Sequence, residues 1–315
     1  MIETELELRE VATGLLFPEG PVAMADGSVL VVEIAGGRLI RVLPDRTKEV
    51  AAELGGGPNG AAIGPDGKCY VCNNGGFAWT TQDDGYLRPH GCAEDYQGGS
   101  IQRVDLATGA VETLYTHCGD IALRGPNDIV FDADGGFWFT DYGKAQGRLL
   151  DRGAIFYART DGSLIREAAF PLITPNGVGL SPDGTTLYAP ETDAGKVWAW
   201  PVLGPGELGK ERWPSPHGGR YLNGIRGYQR YDSLAVEEGG NVCAATMGYG
   251  SPGPGISVFA PDGELIEFHR APEFYCTNIC FGGPDMRTAF ITLSGQGRLV
   301  ACTWPRPGLA LVHQV

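Results

Sequence analysis

The sequence predicts an all-β fold, a six-bladed β-propeller with four antiparallel strands per blade, from three observations. The first is composition: 43% hydrophobic and 20% charged residues in a chain of 315 are typical of a globular protein, and 49 Gly and 22 Pro indicate many tight turns. The second is a hairpin pattern that occurs six times, and the third is a glycine-led apolar run after each hairpin. Together they favour a repeat protein built from short strands.

The repeated hairpin is a short apolar run, a tight turn and a second apolar run, as in EGPVAMADGSVLVVE at residues 19–33. Its register does not slip: the turn position, seven residues after the first, holds Asp in five units and Gly239 in the other. The six units begin at Glu19, Asn59, Asn127, Asn176, Asp232 and Asn278. Each unit is predicted to supply two strands of one blade.

The run after each hairpin, such as GGRLIRVLPD at residues 36–45, reads as a second strand pair. Four strands per unit, with unit starts spaced by roughly 40 to 70 residues, is the pattern of a β-propeller. The early strand LELREVATG at residues 6–14 is expected to complete the last blade beside GRLVACTW at 297–304 and close the ring, because an unpaired edge would be exposed. Residues 1–315 then form a single domain.

Two stretches interrupt the repeat and are predicted to be long loops, at about residues 73–97 and 201–231. Long loops on a rigid β scaffold are often binding elements. The first contains Trp79 and His90, which are candidate substrate-binding residues in a pocket wall, and the second contains His217.

Charge and cysteine content exclude several classes of function. A formal net charge of -14 without a basic cluster argues against nucleic-acid binding. The start of the chain lacks the basic and apolar regions of a secretory signal, and no run reaches membrane-spanning length, so we expect a cytoplasmic protein without a membrane or protein partner. Eight cysteines are too few for a disulfide scaffold in a chain of this length. Cys69 and Cys72 should face opposite sides of one strand, so they cannot bind one metal ion together.

The first residues of the six hairpins are expected to meet, because the innermost strands of a propeller run alongside its central axis. An Asn-Gly pair is also a common turn signal, which gives Asn59 and Asn176 an alternative interpretation as turn residues. The ring is favoured because the Asp-Gly pair seven residues later already supplies the hairpin turn, and because all six residues stand at the same position of the repeat. Two carboxylates among amides form an all-oxygen site for one divalent cation, with Ca²⁺ expected and Mg²⁺, Mn²⁺, Zn²⁺ or Fe²⁺ as alternatives.

Several motifs resemble those of a known group, the senescence marker protein (regucalcin), gluconolactonase and luciferin-regenerating enzyme family of six-bladed propellers. They extend over nearly the whole chain, and together they are specific. The matching stretches are PEGPV at 18–22, RGPNDIVFD at 124–132, TPNGVGLSPDGTTLY at 174–188, DSLAVEEGGNVC at 232–243 and TNICFGGPDMRTAFIT at 277–292.

The resemblance implies one divalent ion at the mouth of the channel, held by Glu19, Asn176 and Asp232. Asn127 matches an Asn that binds the metal in related diisopropylfluorophosphatases and lies beside the substrate in lactonases. Arg124 resembles the substrate-binding Arg of the family, although its spacing to Asn127 is one residue longer.

The activity that the resemblance implies is hydrolysis of a sugar lactone or similar small lactone. A divalent cation that polarises the carbonyl would stabilise the developing oxyanion, and Asp232 is the candidate general base on water. Asp232 also has an interpretation as a residue that only balances metal charge. Asn59 and Asn278, the remaining ring amides, are candidate substrate contacts.

Two alternatives remain at this stage. One is a phosphotriesterase-like hydrolase resembling diisopropylfluorophosphatase, although Ala235 stands where that group carries a further Asp. The other is a non-catalytic, metal-binding propeller.

Overall fold

The computed structural model describes residues 1–211, 215–225 and 227–314, and these contain β-strands and no α-helix. Six sheets of four or five strands are arranged so that the innermost strand of each contacts the innermost strand of the next, and that of the sixth contacts that of the first. The predicted all-β, six-bladed architecture is therefore confirmed. Across the described ranges, no helix is long and apolar enough to cross a membrane.

The first three blades are antiparallel meanders whose strands pair in chain order. Blade 1 comprises Pro18–Ala23, Val29–Glu33, Arg38–Val42 and Lys48–Glu53. Blade 2 comprises Pro58–Ile63, Cys69–Asn73, Ser100–Val104 and Val111–Tyr115. Blade 3 comprises Pro126–Phe131, Gly136–Asp141, Gly153–Arg159 and Ile165–Leu172.

The last three blades follow the same plan with additions at their outer edges. Blade 4 comprises Gly179–Leu180, Thr186–Glu191, Lys196–Gly204 and Arg220–Gly224, with Glu207–Leu208 also paired to the third strand. Blade 5 comprises Gln229–Val236, Val242–Gly248, Gly255–Phe259 and Leu265–Arg270. Blade 6 comprises Cys276–Gly282, Thr288–Leu293, Arg298–Thr303 and Arg9–Ala12.

Two strands near the start of the chain pair with strands near its end. Arg9–Ala12 runs antiparallel to Arg298–Thr303 in blade 6, and Ile2–Glu5 runs parallel to Leu265–Arg270 as a fifth strand of blade 5. The sequence predicted one such strand, and the structure contains both. Residues 6–8 form a short connection that carries the chain from Ile2–Glu5 in blade 5 to Arg9–Ala12 in blade 6. Because this connection is so short, Ile2–Glu5 pairs in parallel with Leu265–Arg270.

The two predicted loops differ in character. Residues 73–97 contain a small hairpin, Ala78–Thr81 with Leu87–His90. The second stretch, 201–231, is not simply a loop, because it includes Arg220–Gly224, which pairs with Lys196–Gly204. Residues 212–214 and 226 of this stretch lie outside the described residues. Two further short pairs are His117–Cys118 with Ile121–Ala122, and Ala145–Gln146 with Leu149–Leu150.

The hydrophobic core lies between neighbouring blades. Cys72 packs with Phe137 and Phe139 between blades 2 and 3, whereas Cys69 packs with Leu30 and Val32 between blades 1 and 2. The two thiols thus face opposite sides of blade 2, as period-two alternation along a strand requires. Burial raises the pKa of both thiols, that of Cys69 to about 12, as expected of core residues.

Candidate functional site

Glycines that follow the ring residues place neighbouring inner strands in close contact. A Cβ atom on Gly20 would lie 2.5 Å from the carbonyl oxygen of Asn59, and one on Gly60 would lie 2.5 Å from that of Asn127. Only glycine permits these approaches. Asn59 itself lies within the strand Pro58–Ile63, so its Asn-Gly pair is part of the ring and not of a hairpin turn.

Contacts between the other blades place the remaining predicted residues in the same ring. The backbone N–H of Gly177, next to Asn176, donates to the carbonyl oxygen of Asp232 at 3.4 Å. The hydroxyl of Thr140 donates to the carbonyl oxygen of Asn176. The side-chain amide of Asn278 donates to Glu19 Oε2 at 2.8 Å, which joins blade 6 to blade 1.

A β-bulge accompanies the ring position in each inner strand. In blade 3, Pro126 is opposite Asp141 but Ile129 is opposite Phe139, so the inner strand has one extra residue around Asn127. A one-residue shift also occurs beside the ring position in the other five blades, directly after Glu19 in blade 1 and directly before Asn278 in blade 6. Because a bulge changes the direction of a side chain, this repeated feature turns the ring residues relative to the rest of their strands.

Glu19 is a buried carboxyl with few hydrogen-bond donors around it. It is 4% exposed, and besides Asn278 it accepts a hydrogen bond from the backbone N–H of Gly20 at 3.0 Å. Burial raises the pKa of Glu19 to about 7, and the hydrogen bonds oppose that rise only in part. Its buried position therefore disfavours the charged form of the Glu19 carboxyl unless a positive charge lies nearby.

Asp232 is likewise a buried carboxyl with a raised pKa. It is 8% exposed, and burial, followed by the charge of Glu19, raises its pKa well above the ordinary value. A hydrogen bond from Asn176 opposes this rise. Glu19 and Asp232, 213 positions apart in the chain, are thus near enough for the charge of Glu19 to raise the pKa of Asp232.

Sequence reasoning missed a third carboxyl, Asp128. It is buried, it accepts hydrogen bonds from the hydroxyl of Ser233 and from the backbone N–H of Ile129 at 2.9 Å, and burial raises its pKa to about 6. Its charge also raises the pKa of Asp232. The signal available in the sequence was a carboxylate directly after Asn127, at a position where the other units carry Gly, Ser or Ile.

The donor set of the ring fits one hard divalent cation. Glu19 and Asp232 are buried near each other, and within the described residues neither forms an ion pair or hydrogen bond with Lys or Arg. Two buried carboxylates with amide oxygens match the ligands that Ca²⁺ prefers. No group of three or more His, Cys, Asp or Glu side chains suited to a metal occurs in the described part of the chain.

A second set of polar side chains, which the sequence analysis did not identify, holds the segments that lead into the ring. Asp141 accepts hydrogen bonds from the backbone N–H groups of Arg124 and Gly125, both at 2.7 Å, shortly before Asn127. In three other blades the equivalent acceptor lies at or near the end of the second strand and also binds a backbone N–H two or three residues before the ring position. These pairs are Glu33 with Leu16 at 3.1 Å, Asn73 with Gly57 at 2.9 Å, and Glu191 with Ile173 at 2.6 Å. In the sequence, these acceptors could have been identified as the polar residue at, or directly after, the last position of the repeated hairpin.

Replacing Asp141 with Ala is expected to destabilise the protein by on the order of 3 kcal/mol or more. The change leaves three backbone N–H groups without an acceptor, since Gly143 also donates to this carboxyl at 2.9 Å. Two of these hydrogen bonds are buried and the third is partly buried, and each buried unsatisfied group costs about 1 to 3 kcal/mol. Urea unfolding measures the difference. The exposed turn residue Asp134 supplies the control, and a loss under about 1 kcal/mol for Asp141→Ala would contradict the assignment.

Aromatic side chains form one wall beside the ring. Phe17, two residues before Glu19, packs against Trp79 at 5.1 Å and Tyr275 at 5.4 Å between ring centroids. Its φ of 57° is in the left-handed region, which is uncommon for a bulky residue and is frequent at functional sites. Trp79 is thus placed beside the segment that carries Glu19.

Two arginines lie near the ring on other blades. The Arg124 side chain is 42% exposed, donates to Asp151 at 2.9 Å and lies over the ring of Tyr96 at 5.9 Å. Sequence analysis did not single out Arg230, whose charge lowers the pKa of Asp232 and whose guanidinium lies 3.5 Å from Asp193. Only the folded chain reveals its proximity to Asp232.

The candidate histidines lie in different environments. His90 is exposed at the end of the small hairpin, opposite Ala78. His217 is buried between Trp198 and Trp200, with ring centroids at 4.6 and 5.2 Å, and burial lowers its pKa to about 4. His217 is therefore a core residue of blade 4 and not an exposed loop residue.

The channel contains a cavity of about 380 Å³ on the side of the ring toward the hairpin turns. Inner-strand residues such as Val22 and Ile129 line it together with the C-terminal residues 309–314. That segment lies across this end: Leu309 donates to Val236 at 2.9 Å, and Gln314 donates to Phe281 at 2.8 Å. Access to the ring is expected from the opposite end, where Trp79 and Arg124 lie.

Six blades with one oxygen-bearing side chain each at the axis define a six-bladed propeller with a polar axial site. Residues 17–295 match the SMP-30/Gluconolactonase/LRE-like region, and the chain belongs to this family. The resemblance inferred from the motifs is thereby confirmed.

Individual relatives are distant. The chain is 25% identical over 320 residues to a gluconolactonase of Zymomonas mobilis, covering 93% of this chain and 81% of that protein. It is 27% identical over 242 residues to lactonase drp35 of Staphylococcus saprophyticus, covering 76% of this chain and 65% of that one, slightly less than two thirds. Among solved structures, a calcium-binding regucalcin of Agrobacterium tumefaciens superposes with a TM-score of 0.73 at 18% identity, covering 99% of this chain and all of the other, which shows the shared fold.

Proposed function

We propose that this protein is a divalent-metal-dependent lactonase that hydrolyses a sugar lactone or a similar small lactone. The observation that carries the proposal is the pair of buried carboxyls, Glu19 and Asp232, at the axis with no cationic side chain bound to them in the described residues. Membership of a family that includes a gluconolactonase, and similarity to lactonase drp35, support the same reaction class.

The residues that would hold the cation are Glu19, Asn127, Asn176 and Asp232, with Ca²⁺ as the expected ion. When bound, such an ion polarises the lactone carbonyl and stabilises the negative charge that develops on its oxygen. The negative charges of Glu19 and Asp232 would balance the two positive charges of the ion. Asn59 and Asn278 present further amides at the same level of the channel, where they would contact the substrate.

Asp232 would act as the general base. Its carboxylate would take a proton from water while the water oxygen attacks the carbonyl carbon, and the ring C–O bond then breaks with the proton delivered to the leaving oxygen. The product is the open-chain hydroxy acid, so one lactone and one water are consumed. Trp79 and Arg124 would orient the substrate beside the ring, and His90 would contact only a substrate that extends to the hairpin.

A screen of aldonolactones and other small lactones by acid release tests the proposal. Each substrate is assayed with Ca²⁺, with other divalent cations and with a chelator. We expect turnover that the chelator abolishes and that added cation restores. Absence of metal-dependent turnover on every lactone would refute the proposal, and turnover of a phosphotriester alone would favour the phosphotriesterase alternative.

The metal-free protein should show a distinct pH dependence that arises from Glu19. Its pKa is about 7 in the folded protein and 4.5 ordinarily, so between these values the folded state retains a proton that the unfolded chain has released. The contribution of Glu19 to the free energy of unfolding therefore falls as pH rises through about 4.5 to 7. We expect wild type in chelator to lose melting temperature relative to Glu19→Gln between pH 5 and pH 8.

The comparison with Glu19→Gln cancels the titration of groups that do not interact with Glu19. Addition of Ca²⁺ at pH 8 should reverse the difference, because the cation compensates the ionised carboxyls only in wild type. An equal melting-temperature difference between the two proteins at both pH values would show that Glu19 has an ordinary pKa in the folded state.

A further inference from the structure

Lys144 is a buried lysine that the ring chemistry does not use. It lies three residues after the end of the second strand of blade 3, and only 2% of it is exposed. Its Nζ donates to the side-chain oxygen of Asn74 at 3.0 Å and to the carbonyl oxygen of Gly76 at 2.8 Å. Both acceptors belong to the start of the 73–97 insertion, which is an element of blade 2.

Two aromatic rings of the same insertion surround the ammonium group. Nζ lies 3.8 Å from the ring centroid of Phe77 and 5.3 Å from that of Tyr96. Cation–π attraction is strongest where the cation is desolvated, as it is here. Because Asn74, Gly76 and Phe77 begin the insertion and Tyr96 ends it, one side chain contacts both of its ends.

A lysine in this position is costly unless its contacts compensate for the loss of water. Burial lowers the pKa of Lys144 to about 7, and the charges of Cys92 and Asp141 oppose that decrease. No carboxylate forms an ion pair with Lys144 in the described ranges. Two oxygen acceptors and two aromatic faces are thus its main compensation, and all four belong to the insertion.

The candidate pocket residues are connected to these contacts. Phe77 packs against Trp79 at 6.1 Å, and Trp79 packs against Phe17 beside Glu19. At the other end of the insertion, the hydroxyl of Tyr96 donates to the carbonyl oxygen of Arg124 at 2.6 Å. Asp141 holds the backbone of Arg124 to blade 3, so movement of the insertion relative to blade 3 would change the position of Trp79 and the contact of Tyr96 with Arg124.

We propose that Lys144 is a positioning residue that fixes the 73–97 insertion against blade 3 and thereby sets the substrate-binding wall. The fixing of the insertion is independent of the reaction, whereas the effect on substrate rests on the proposed lactonase function. Lys144 contacts neither the ring nor the reacting atoms, so it acts through Trp79 and Arg124.

Hydrogen exchange followed by mass spectrometry tests the fixing directly. The variant Lys144→Met keeps an apolar stem but removes the charge and both donors, while Lys144→Arg keeps the charge and donors. We expect at least tenfold faster exchange in peptides from 73–97 for Lys144→Met and a return toward wild type for Lys144→Arg. Peptides from Lys48–Glu53 in blade 1 serve as the internal reference, and Lys68→Met, at the hairpin turn of blade 2, is the matched control.

The kinetic arm uses the best lactone from the screen. We expect Lys144→Met to raise KM about tenfold with kcat changed less than threefold and with Ca²⁺ affinity unchanged, because the ring itself stays intact. Wild-type exchange in the insertion of Lys144→Met would overturn the proposal. If Lys144→Met fails to fold, Phe77→Leu removes the ring nearest Nζ together with its contact to Trp79, and unchanged exchange in that variant would overturn the proposal equally.

The two arms separate this inference from the proposed function. Faster exchange without any lactone turnover would support the fixing role and count against the lactonase. Turnover with unchanged exchange and unchanged KM would support the lactonase and refute the role of Lys144.

Discussion

A Glu19→Gln variant is expected to lose binding of divalent cations at the ring by on the order of 10³-fold while the propeller stays folded. The substitution keeps the shape of the side chain and an oxygen that can accept from Asn278, but it removes one full charge. Unit charges about 4 Å apart interact by about 4 kcal/mol at an effective dielectric constant of about 20, and 1.4 kcal/mol is about a factor of ten in affinity. Isothermal titration with Ca²⁺ measures the loss.

The control is Glu49→Gln, which neutralises an exposed carboxylate on the outermost strand of the same blade. Far-ultraviolet circular dichroism and thermal unfolding in chelator should show that Glu19→Gln is folded. Its metal-free form should be at least as stable as wild type at pH 8, since repulsion with Asp232 is gone. Retention of cation binding together with full activity would show that the ring is not the metal site.

Asp232→Asn is expected to reduce lactone turnover by about 10² to 10⁴-fold, the usual contribution of a general base. The amide occupies the same volume in a buried site, so the fold should persist. It cannot accept a proton from water at neutral pH, and it also removes one of the two carboxylates expected to bind the cation. The assay is therefore made at saturating Ca²⁺ so that the loss in kcat is separated from weaker cation binding.

Asp183→Asn, at an exposed hairpin turn of blade 4, is the matched control and should retain wild-type kinetics. The pH profile gives a second measure: the limb of kcat that reports the base in wild type should be absent from the residual activity of Asp232→Asn. Undiminished kcat at saturating Ca²⁺ would leave Asp232 with a charge-balancing role alone and would exclude it as the base.

Sequence periodicity alone predicted the blades because hairpins are local structures. Alternating apolar residues and an Asp-Gly turn determine how two adjacent strands pair, and this information lies within about fifteen residues. The same phase identified Glu19, Asn127 and Asp232 as equivalent positions, and the structure places their segments together at the axis.

The sequence did not predict features that depend on contacts between distant segments. Asp128 lies beside Asp232 only because inner strands of different blades meet at the axis, and its carboxyl bonds to Ser233, 105 residues away. Residues Arg220–Gly224 have no distinctive strand pattern, and they form the fourth strand of blade 4 because an edge of Lys196–Gly204 is available there. The parallel pairing of Ile2–Glu5 has the same kind of cause.

By itself, the sequence determined that this protein is a six-unit β repeat with a phased set of polar residues, since both properties follow from turn chemistry and a fixed spacing. Only the tertiary structure decided which side chains surround that set. Asp141 binds the segment that leads to Asn127, and Lys144 binds the start of the 73–97 insertion. The physical reason is that burial and charge proximity are properties of the packed molecule. A lysine with a pKa near 7, or two carboxyls that repel each other across 213 positions, acquires that character only when the fold removes water and brings the groups together.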